Sequence, residues 1–97
     1  MNVDREDVLK FLRETADHLA EAYGVSRIGL FGSVGRDEAA EASDMDVLVH
    51  MDAPTFDRYM DLKFEIEDRF GVSVDLVLAD TLKERLRPAI EKEVVYA

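Results

Sequence analysis

Three aspartates fall where the alternation of side chains along predicted strands brings them to one face. Asp44 and Asp46 begin an apolar run, and because successive side chains in a strand point to opposite faces, these two share a face. In the run VSVDLVL, residues 72–78, Asp75 alternates with the apolar side chains, so it lies beside the pair if the two strands are neighbours. Converging carboxylates repel one another, and Mg²⁺ with its preference for oxygen ligands relieves that repulsion. The pattern predicts a site for two Mg²⁺ ions that activate an attacking oxygen and stabilise a leaving pyrophosphate.

A second group of residues could hold phosphates. Gly32 and Ser33 follow a short apolar run, and a ten-residue spacer separates them from Asp44. Glycine lets the backbone approach a phosphate closely, and the N-terminus of a following helix offers free N–H groups. The Ser33 hydroxyl can donate to a phosphate oxygen, and Arg36 could reach the same group. The stretch therefore predicts a triphosphate cradle beside the carboxylates.

Each of these signals also has a plain structural alternative. Gly-Ser after a strand is usually a turn with a helix N-cap, and Asp-x-Asp on a strand is most often a solvated edge. Asp75 alone could be the exposed face of a half-buried strand. The occurrence of all three signals on successive elements favours the functional interpretation over the separate structural ones.

The periodicity of the apolar residues predicts the elements that would position this site. Asp4 is the expected N-cap of the first helix, Gly24 its stop, and Gly71 the stop of a later helix. Asp80 is the expected N-cap of the last helix, which Pro88 should kink or interrupt. The predicted elements are helices over 4–23, 33–41, 54–70 and 81–92, strands over 26–31, 45–51 and 72–78, and a short strand or tail over 94–96.

The order of these elements predicts a layered α/β (α+β) fold in one domain, residues 1–97, with a small mixed sheet of three to four strands flanked by helices. The connection between the first two strands is only about a dozen residues long, so both an antiparallel return and a tight crossover are possible. In the second strand, the side chains expected to face the core are Met45, Val47, Val49 and Met51.

Composition narrows the classes of partner. The chain has 97 residues, no cysteine and a net charge of −10, so disulfides and thiolate metal sites are excluded and direct nucleic-acid binding is disfavoured. A basic protein or another cationic partner suits this charge, although simple solubility is the better explanation of the charge alone. No apolar run is long enough to span a bilayer and no secretory signal is visible, which predicts a cytoplasmic protein.

The pattern Gly32-Ser33, ten residues, Asp44-x-Asp46 and a later strand aspartate, Asp75, resembles the minimal nucleotidyltransferases of the DNA polymerase β-like superfamily. The segments RIGLFGSVGRDEAAEASDMDVLVHMD, LKFEIEDRFGVSVDLVLAD and LKERLRPAIEKEVVYA carry the resemblance over nearly the whole chain. The resemblance implies the polymerase β-like nucleotidyltransferase fold.

The ten-residue spacer resembles the antitoxin branch, whose members are paired with HEPN-domain RNase toxins. The resemblance implies that the protein transfers AMP from ATP to a tyrosine of the toxin and so neutralises it. It further implies that Asp44 and Asp46 bind both Mg²⁺ ions, and that Asp75 completes one metal site and helps to deprotonate the acceptor hydroxyl. Gly32 and Ser33 would then hold the triphosphate.

The resemblance has one departure, and it leaves two other functions open. Gly35 and Asp37 stand where the family often has alanine and glycine, so Arg36 is a weaker candidate than Ser33 for phosphate binding. One alternative is an antitoxin that acts by binding and occlusion. The other is a small-molecule nucleotidyltransferase of the aminoglycoside-modifying kind, which usually needs a further domain to hold its acceptor.

Several other polar and aromatic residues are expected to be structural. His18 should lie at the surface next to the apolar stripe of the first helix. His50 shares a face with Asp46 and could line the mouth of the site, although an ordinary polar strand end explains it more simply. The aromatic residues of the 54–70 helix are expected in the core or against a partner: Tyr59, Phe64 and Phe70.

Overall fold

The first helical segment of the computed structural model is divided in two. The structure describes residues 5–31, 45–82, 85 and 87–97, and within them α1 spans Arg5–Glu14 and α2 spans Ala16–Tyr23. The prediction of one continuous helix over 4–23 was therefore wrong at Thr15, whose hydroxyl donates to the carbonyl oxygen of Phe11 at 2.7 Å. The Thr15 N–H still donates to the same oxygen at 3.0 Å, but a φ of −103° and a ψ of 8° take Thr15 out of the helical conformation. Side-chain hydrogen bonds of this kind bend helices. Gly24 ends α2 with φ of 72°, as predicted, and the proposed N-cap Asp4 lies outside the described residues.

The strands form a four-stranded mixed sheet in the order β3-β2-β1-β4. They are β1 (Val25–Phe31), β2 (Met45–Met51), β3 (Val74–Leu78) and β4 (Val95–Tyr96). β1 is antiparallel to both β2 and β4, whereas β2 and β3 are parallel. The mixed sheet was predicted, and the antiparallel pairing of β1 with β2 decides between the two connections that the sequence left open. The predicted helix over 33–41 lies outside the described residues.

Helix α3 (Phe56–Phe70) has the boundaries that its sequence predicts to within two residues. The Thr55 side chain accepts a hydrogen bond from the main-chain N–H of Arg58, which caps its N-terminus. Gly71 adopts φ of 68° and ends the helix. The helix and β3 lie antiparallel, because Glu67 near the end of α3 contacts Val74 at the start of β3 and Tyr59 near the beginning of α3 contacts Leu76.

The last predicted helix, 81–92, differs from the structure. Asp80 is not its N-cap but lies inside a 3₁₀ helix, Ala79–Thr81, after which Leu82 returns to extended backbone with ψ of 133°. The described part of the last helix, α4, spans Arg87–Glu93. Pro88 therefore lies in its first turn, where a missing N–H costs no hydrogen bond. The prediction that Pro88 would kink or interrupt this helix was wrong. The last segment is a strand rather than a tail, because β4 pairs with β1.

One apolar cluster fills the space between the sheet and helices α1, α2 and α3. The side chains predicted to face the core from β2 do so: Met45, Val47, Val49 and Met51 are all at most 5 % exposed. The helices contribute mainly leucine and isoleucine to the same cluster: Leu9, Leu12, Leu19, Leu62 and Ile66. The opposite face of the sheet is thereby left to carry the polar side chains of β2 and β3. Among the described residues, no helix is long and apolar enough to cross a membrane.

Candidate functional site

Asp46 and Asp75 lie directly opposite each other on the neighbouring strands β2 and β3. The parallel register pairs Met45 with Val74, Asp46 with Asp75 and Val47 with Leu76. Adjacent strands are about 4.8 Å apart, so the two aspartates leave the sheet side by side. The sequence predicted that Asp75 lies beside Asp46 if the two strands are neighbours, and β2 and β3 are neighbours.

The two carboxylates belong to the face of the sheet that points away from the core cluster, here called the carboxylate face. Asp46 is half-buried and Asp75 is exposed, whereas the flanking Val74 and Leu76 are each 3 % exposed on the core side. The carboxylate face comprises the alternate residues Arg27, Gly29, Phe31, Asp46, Leu48, His50, Asp75, Val77 and Tyr96. The aspartates thus stand at the end of the face where β2 and β3 begin.

The end of β1 lies beside the same pair of carboxylates. Phe31, the last residue of β1, is the register partner of Asp46. In sequence, Gly32 and Ser33 follow Phe31 directly, and Asp44 directly precedes Met45. The candidate residues Gly32, Ser33, Arg36 and Asp44 themselves lie outside the described residues.

The chemistry of the described pair fits a hard divalent cation. Two carboxylates on neighbouring strands offer oxygen ligands and a local negative charge, which suit Mg²⁺ better than a softer metal. Within the described ranges, no group of three or more His, Cys, Asp or Glu side chains could hold a metal ion. The third carboxylate of the predicted set, Asp44, is not among those residues.

Two side chains of α3 contact the main chain on either side of Asp75. The Glu67 carboxylate accepts a hydrogen bond from the N–H of Val74 at 2.8 Å, and the Tyr59 hydroxyl donates to the carbonyl oxygen of Leu76. The Val74 N–H and the Lys63 ammonium, 3.0 Å away, hold the pKa of Glu67 below its ordinary value. Sequence reasoning placed Tyr59 in the core or at a partner and gave Glu67 no role in the site. The spacing of eight residues between Tyr59 and Glu67 indicates a contact with β3 only once β3 is known to be an edge strand.

The other end of the carboxylate face carries a cationic and aromatic cluster. His50 Nε2 lies 3.0 Å from the Tyr96 hydroxyl, and the Arg27 guanidinium lies 3.7 Å from the centre of the Tyr96 ring. His50 is four residues from Asp46 along β2, or about 13 Å at the rise of a strand. Its contacts fit the polar strand end expected from the sequence. His18 is exposed, as expected, and lies 3.0 Å from the Glu65 carboxylate.

Comparison with known proteins places the chain in a family. A family model described as the nucleotidyltransferase domain matches residues 12–97. The protein adenylyltransferase MntA of Thermococcus cleftensis is 37 % identical over 92 residues, which cover 94 % of this chain and 93 % of that protein. The match spans the described core as well as the sequence segments that carry the candidate site.

Solved structures share the same architecture. One, described as a candidate minimal nucleotidyltransferase, is 37 % identical with a TM-score of 0.80, and the match covers 96 % of this chain and 95 % of that one. Another is the complex of a tri-AMPylated HEPN toxin of Shewanella oneidensis with its MNT antitoxin, at a TM-score of 0.68. The latter chain is 16 % identical, with 95 % of this chain and 70 % of that one covered, and supports the fold alone. The chain is therefore a member of the nucleotidyltransferase domain family, and its relatives include an MntA-type protein adenylyltransferase.

Proposed function

We propose that the protein is an antitoxin adenylyltransferase that transfers AMP from ATP to a tyrosine of a cognate HEPN toxin. The observation that carries the proposal is the register pairing of Asp46 with Asp75 in a chain of the nucleotidyltransferase family. The 37 % identical protein adenylyltransferase supports the reaction, and the antitoxin of the same fold that is bound to an AMPylated HEPN toxin suggests the choice of partner. The functional unit of this proposal is one minimal nucleotidyltransferase domain over residues 1–97, and the cytoplasm stays its predicted location.

Each candidate residue has a defined part in this reaction. The acceptor hydroxyl oxygen forms a bond to the α-phosphorus of ATP, the bond from that phosphorus to the bridging oxygen breaks, and pyrophosphate leaves. Asp75 takes part in removing the hydroxyl proton, and Asp44, Asp46 and Asp75 would hold two Mg²⁺ ions. Bound Mg²⁺ would offset the charge that develops on the phosphates. Gly32, Ser33 and Arg36 would hold the triphosphate.

Transfer of label from α-labelled ATP to the toxin encoded beside this gene tests the proposal. Wild-type protein with Mg²⁺ should label one or more toxin tyrosines. Asp46→Asn and Asp75→Asn should each lower the rate by about 10²-fold or more, because each removes several kcal/mol of transition-state stabilisation. Asp80→Asn, an exposed change in the 3₁₀ helix, is the matched control and should label normally. An unlabelled toxin, or equal labelling by wild type and Asp46→Asn, contradicts the proposal.

A second function, neutralisation by binding alone, is favoured by an exposed apolar stripe on α3. Phe56 is 75 % and Phe64 is 49 % exposed, and with Met60 they follow a spacing of four residues along the helix. Acidic residues neighbour this stripe, including Asp57 and Asp61, and the whole chain carries a charge of −10. The stripe therefore suits a basic partner with apolar side chains rather than a second, equally acidic copy.

Separate variants distinguish binding from catalysis. Phe56→Ser with Phe64→Ser should weaken toxin binding if the stripe is the interface, whereas Asp46→Asn should leave binding intact. Protection of cells from the toxin by Asp46→Asn, at the same level as wild type, would favour the binding function. Loss of protection in Asp46→Asn, with toxin binding retained, would favour the enzymatic one.

A further inference from the structure

β3, the strand that carries Asp75, is an edge strand of the sheet. The main-chain N–H of Met45 donates to the carbonyl oxygen of Ser73 at 2.9 Å, so at this position the main chain of the β3 segment faces β2. In a strand the direction of the main-chain groups alternates, and the groups of Val74 and Leu76 therefore point away from β2. An edge strand whose outer groups are unpaired is prone to slip or to pair with another chain.

Helix α3 supplies partners for these outer groups. The Glu67 carboxylate accepts from the Val74 N–H, one residue before Asp75, and the Tyr59 hydroxyl donates to the Leu76 carbonyl, one residue after it. Lys63 lies between them and holds the Glu67 carboxylate at 3.0 Å. A spacing of four residues puts the three side chains on one stripe of the helix. Tyr59, Lys63 and Glu67 thus form a clamp along the outer edge of β3.

The geometry of the clamp constrains the strand at two points. The two contacts start eight residues apart on a helix that is fixed to the sheet by the buried side chains of Leu62, Ile66 and Phe70. A slip of β3 by one residue would break both contacts and turn Asp75 to the opposite face of the sheet. The hydrogen bonds therefore oppose the movement that would separate Asp75 from Asp46.

We propose that Tyr59 and Glu67 are positioning residues that hold Asp75 opposite Asp46 for metal binding. The inference rests on the proposed function, because that function assigns a metal to the two carboxylates. Neither side chain needs to touch the metal. Each acts by holding the main chain of β3 in place. This matters because a small displacement of a metal ligand lowers the metal affinity and the reaction rate.

Binding of Mn²⁺ in the presence of a non-hydrolysable ATP analogue, measured by calorimetry, tests the clamp without using catalysis. Tyr59→Phe and Glu67→Ala should each raise the Mn²⁺ dissociation constant by about fivefold, the equivalent of one ordinary hydrogen bond. Glu67→Gln should restore most of the affinity, because its amide oxygen can still accept from the Val74 N–H. Tyr59→Phe keeps the ring and its packing, so folding should be retained in at least this variant.

Tyr23→Phe is the matched control. It also removes a tyrosine hydroxyl that bonds to a side chain of α3, Glu65 at 2.8 Å, but on the side of the helix that faces α2. Its Mn²⁺ affinity should equal that of wild type. Equal affinities in Tyr59→Phe, Glu67→Ala and wild type would overturn the inference. So would an equal loss in Tyr23→Phe, since the effect would then be general to the packing of α3.

Asp75→Asn separates failure of the clamp from failure of the proposed function. If it weakens Mn²⁺ binding and the clamp variants do not, only the clamp is wrong. If the clamp variants and Asp75→Asn all weaken binding but no toxin is labelled, the clamp is supported and the proposed acceptor is wrong. If wild type binds Mn²⁺ no better than Asp75→Asn, Asp75 is not a ligand, and both the clamp and the metal site are wrong.

Discussion

Asp46 and Asp75 are direct register partners on two adjacent parallel strands, and both leave the sheet on the face opposite the core. Like charges directly opposite each other on neighbouring strands destabilise a sheet. The fold nevertheless keeps them together, at the point where β1 also ends beside Asp46. A bound divalent cation would turn this repulsion into a favourable interaction.

Asp75→Asn should therefore stabilise the metal-free protein and make it less responsive to Mg²⁺. Removal of one charge should raise the free energy of unfolding by about 0.2–1 kcal/mol in EDTA. Added Mg²⁺ should raise the free energy of unfolding of wild type more than that of the variant, since a ligand stabilises only the state that binds it. Urea denaturation with and without Mg²⁺ measures both effects, with Asp80→Asn as the control. A variant that Mg²⁺ stabilises as much as wild type would contradict the site.

Gly29→Ala should destabilise the protein by about 1–3 kcal/mol through the contact between β1 and β4. A Cβ at this position would lie 2.7 Å from the Val95 carbonyl oxygen and 2.9 Å from the Tyr96 Cα. These are main-chain atoms, so β4 itself would have to move. Urea denaturation of Gly29→Ala measures the cost, with Ser26→Ala on the same strand as a comparison that removes only an exposed hydrogen bond to the His50 carbonyl oxygen. A Gly29→Ala protein as stable as wild type would contradict the prediction, because it would mean that β4 moves to make room for the Cβ at no cost in stability.

The stability of the protein should fall between about pH 10 and about pH 12 because of Tyr23. Burial, the hydrogen bond to Glu65 and the negative charges of Glu65 and Asp61 raise the pKa of Tyr23 from 10.0 to about 12. The unfolded chain loses this proton first, so the contribution is complete below pH 10 and is lost as pH rises through the pKa of the folded state. Tyr23→Phe should show a smaller fall in its free energy of unfolding over this range. Identical pH profiles of the two proteins would refute the assignment.

Thr55→Ala should cost about 1 kcal/mol of stability through the N-terminus of α3. The Thr55 hydroxyl accepts from the Arg58 N–H at 3.1 Å, which satisfies one of the main-chain donors that a helix leaves unpaired. Thr55→Ser keeps this acceptor and should retain most of the stability. Urea denaturation of the three proteins gives the comparison, and equal losses in the serine and alanine variants would show that the cap does not contribute.

Local sequence signals located most of the elements because their physical causes are local. Gly24 and Gly71 end helices where an apolar stripe stops, and both adopt the left-handed conformation that glycine tolerates. β2 has the boundaries that its apolar run predicts, 45–51. The errors came from residues whose local preference depends on context. The Thr15 hydroxyl bonds to a carbonyl of its own helix, and Pro88 lies in a first turn rather than in a helix interior.

The sequence by itself determined which side chains share a face, because alternation along a strand requires no knowledge of the neighbouring strand. It therefore placed Asp46 and Asp75 away from the core, each on its own strand. Only the tertiary structure decided that β2 and β3 are adjacent and in a register that pairs the two residues. It also decided that Tyr59 and Glu67 bracket Asp75, because a contact between a helix and an edge strand depends on the order of strands in the sheet. That order follows from how all the apolar faces pack together, and no single segment of the chain contains it.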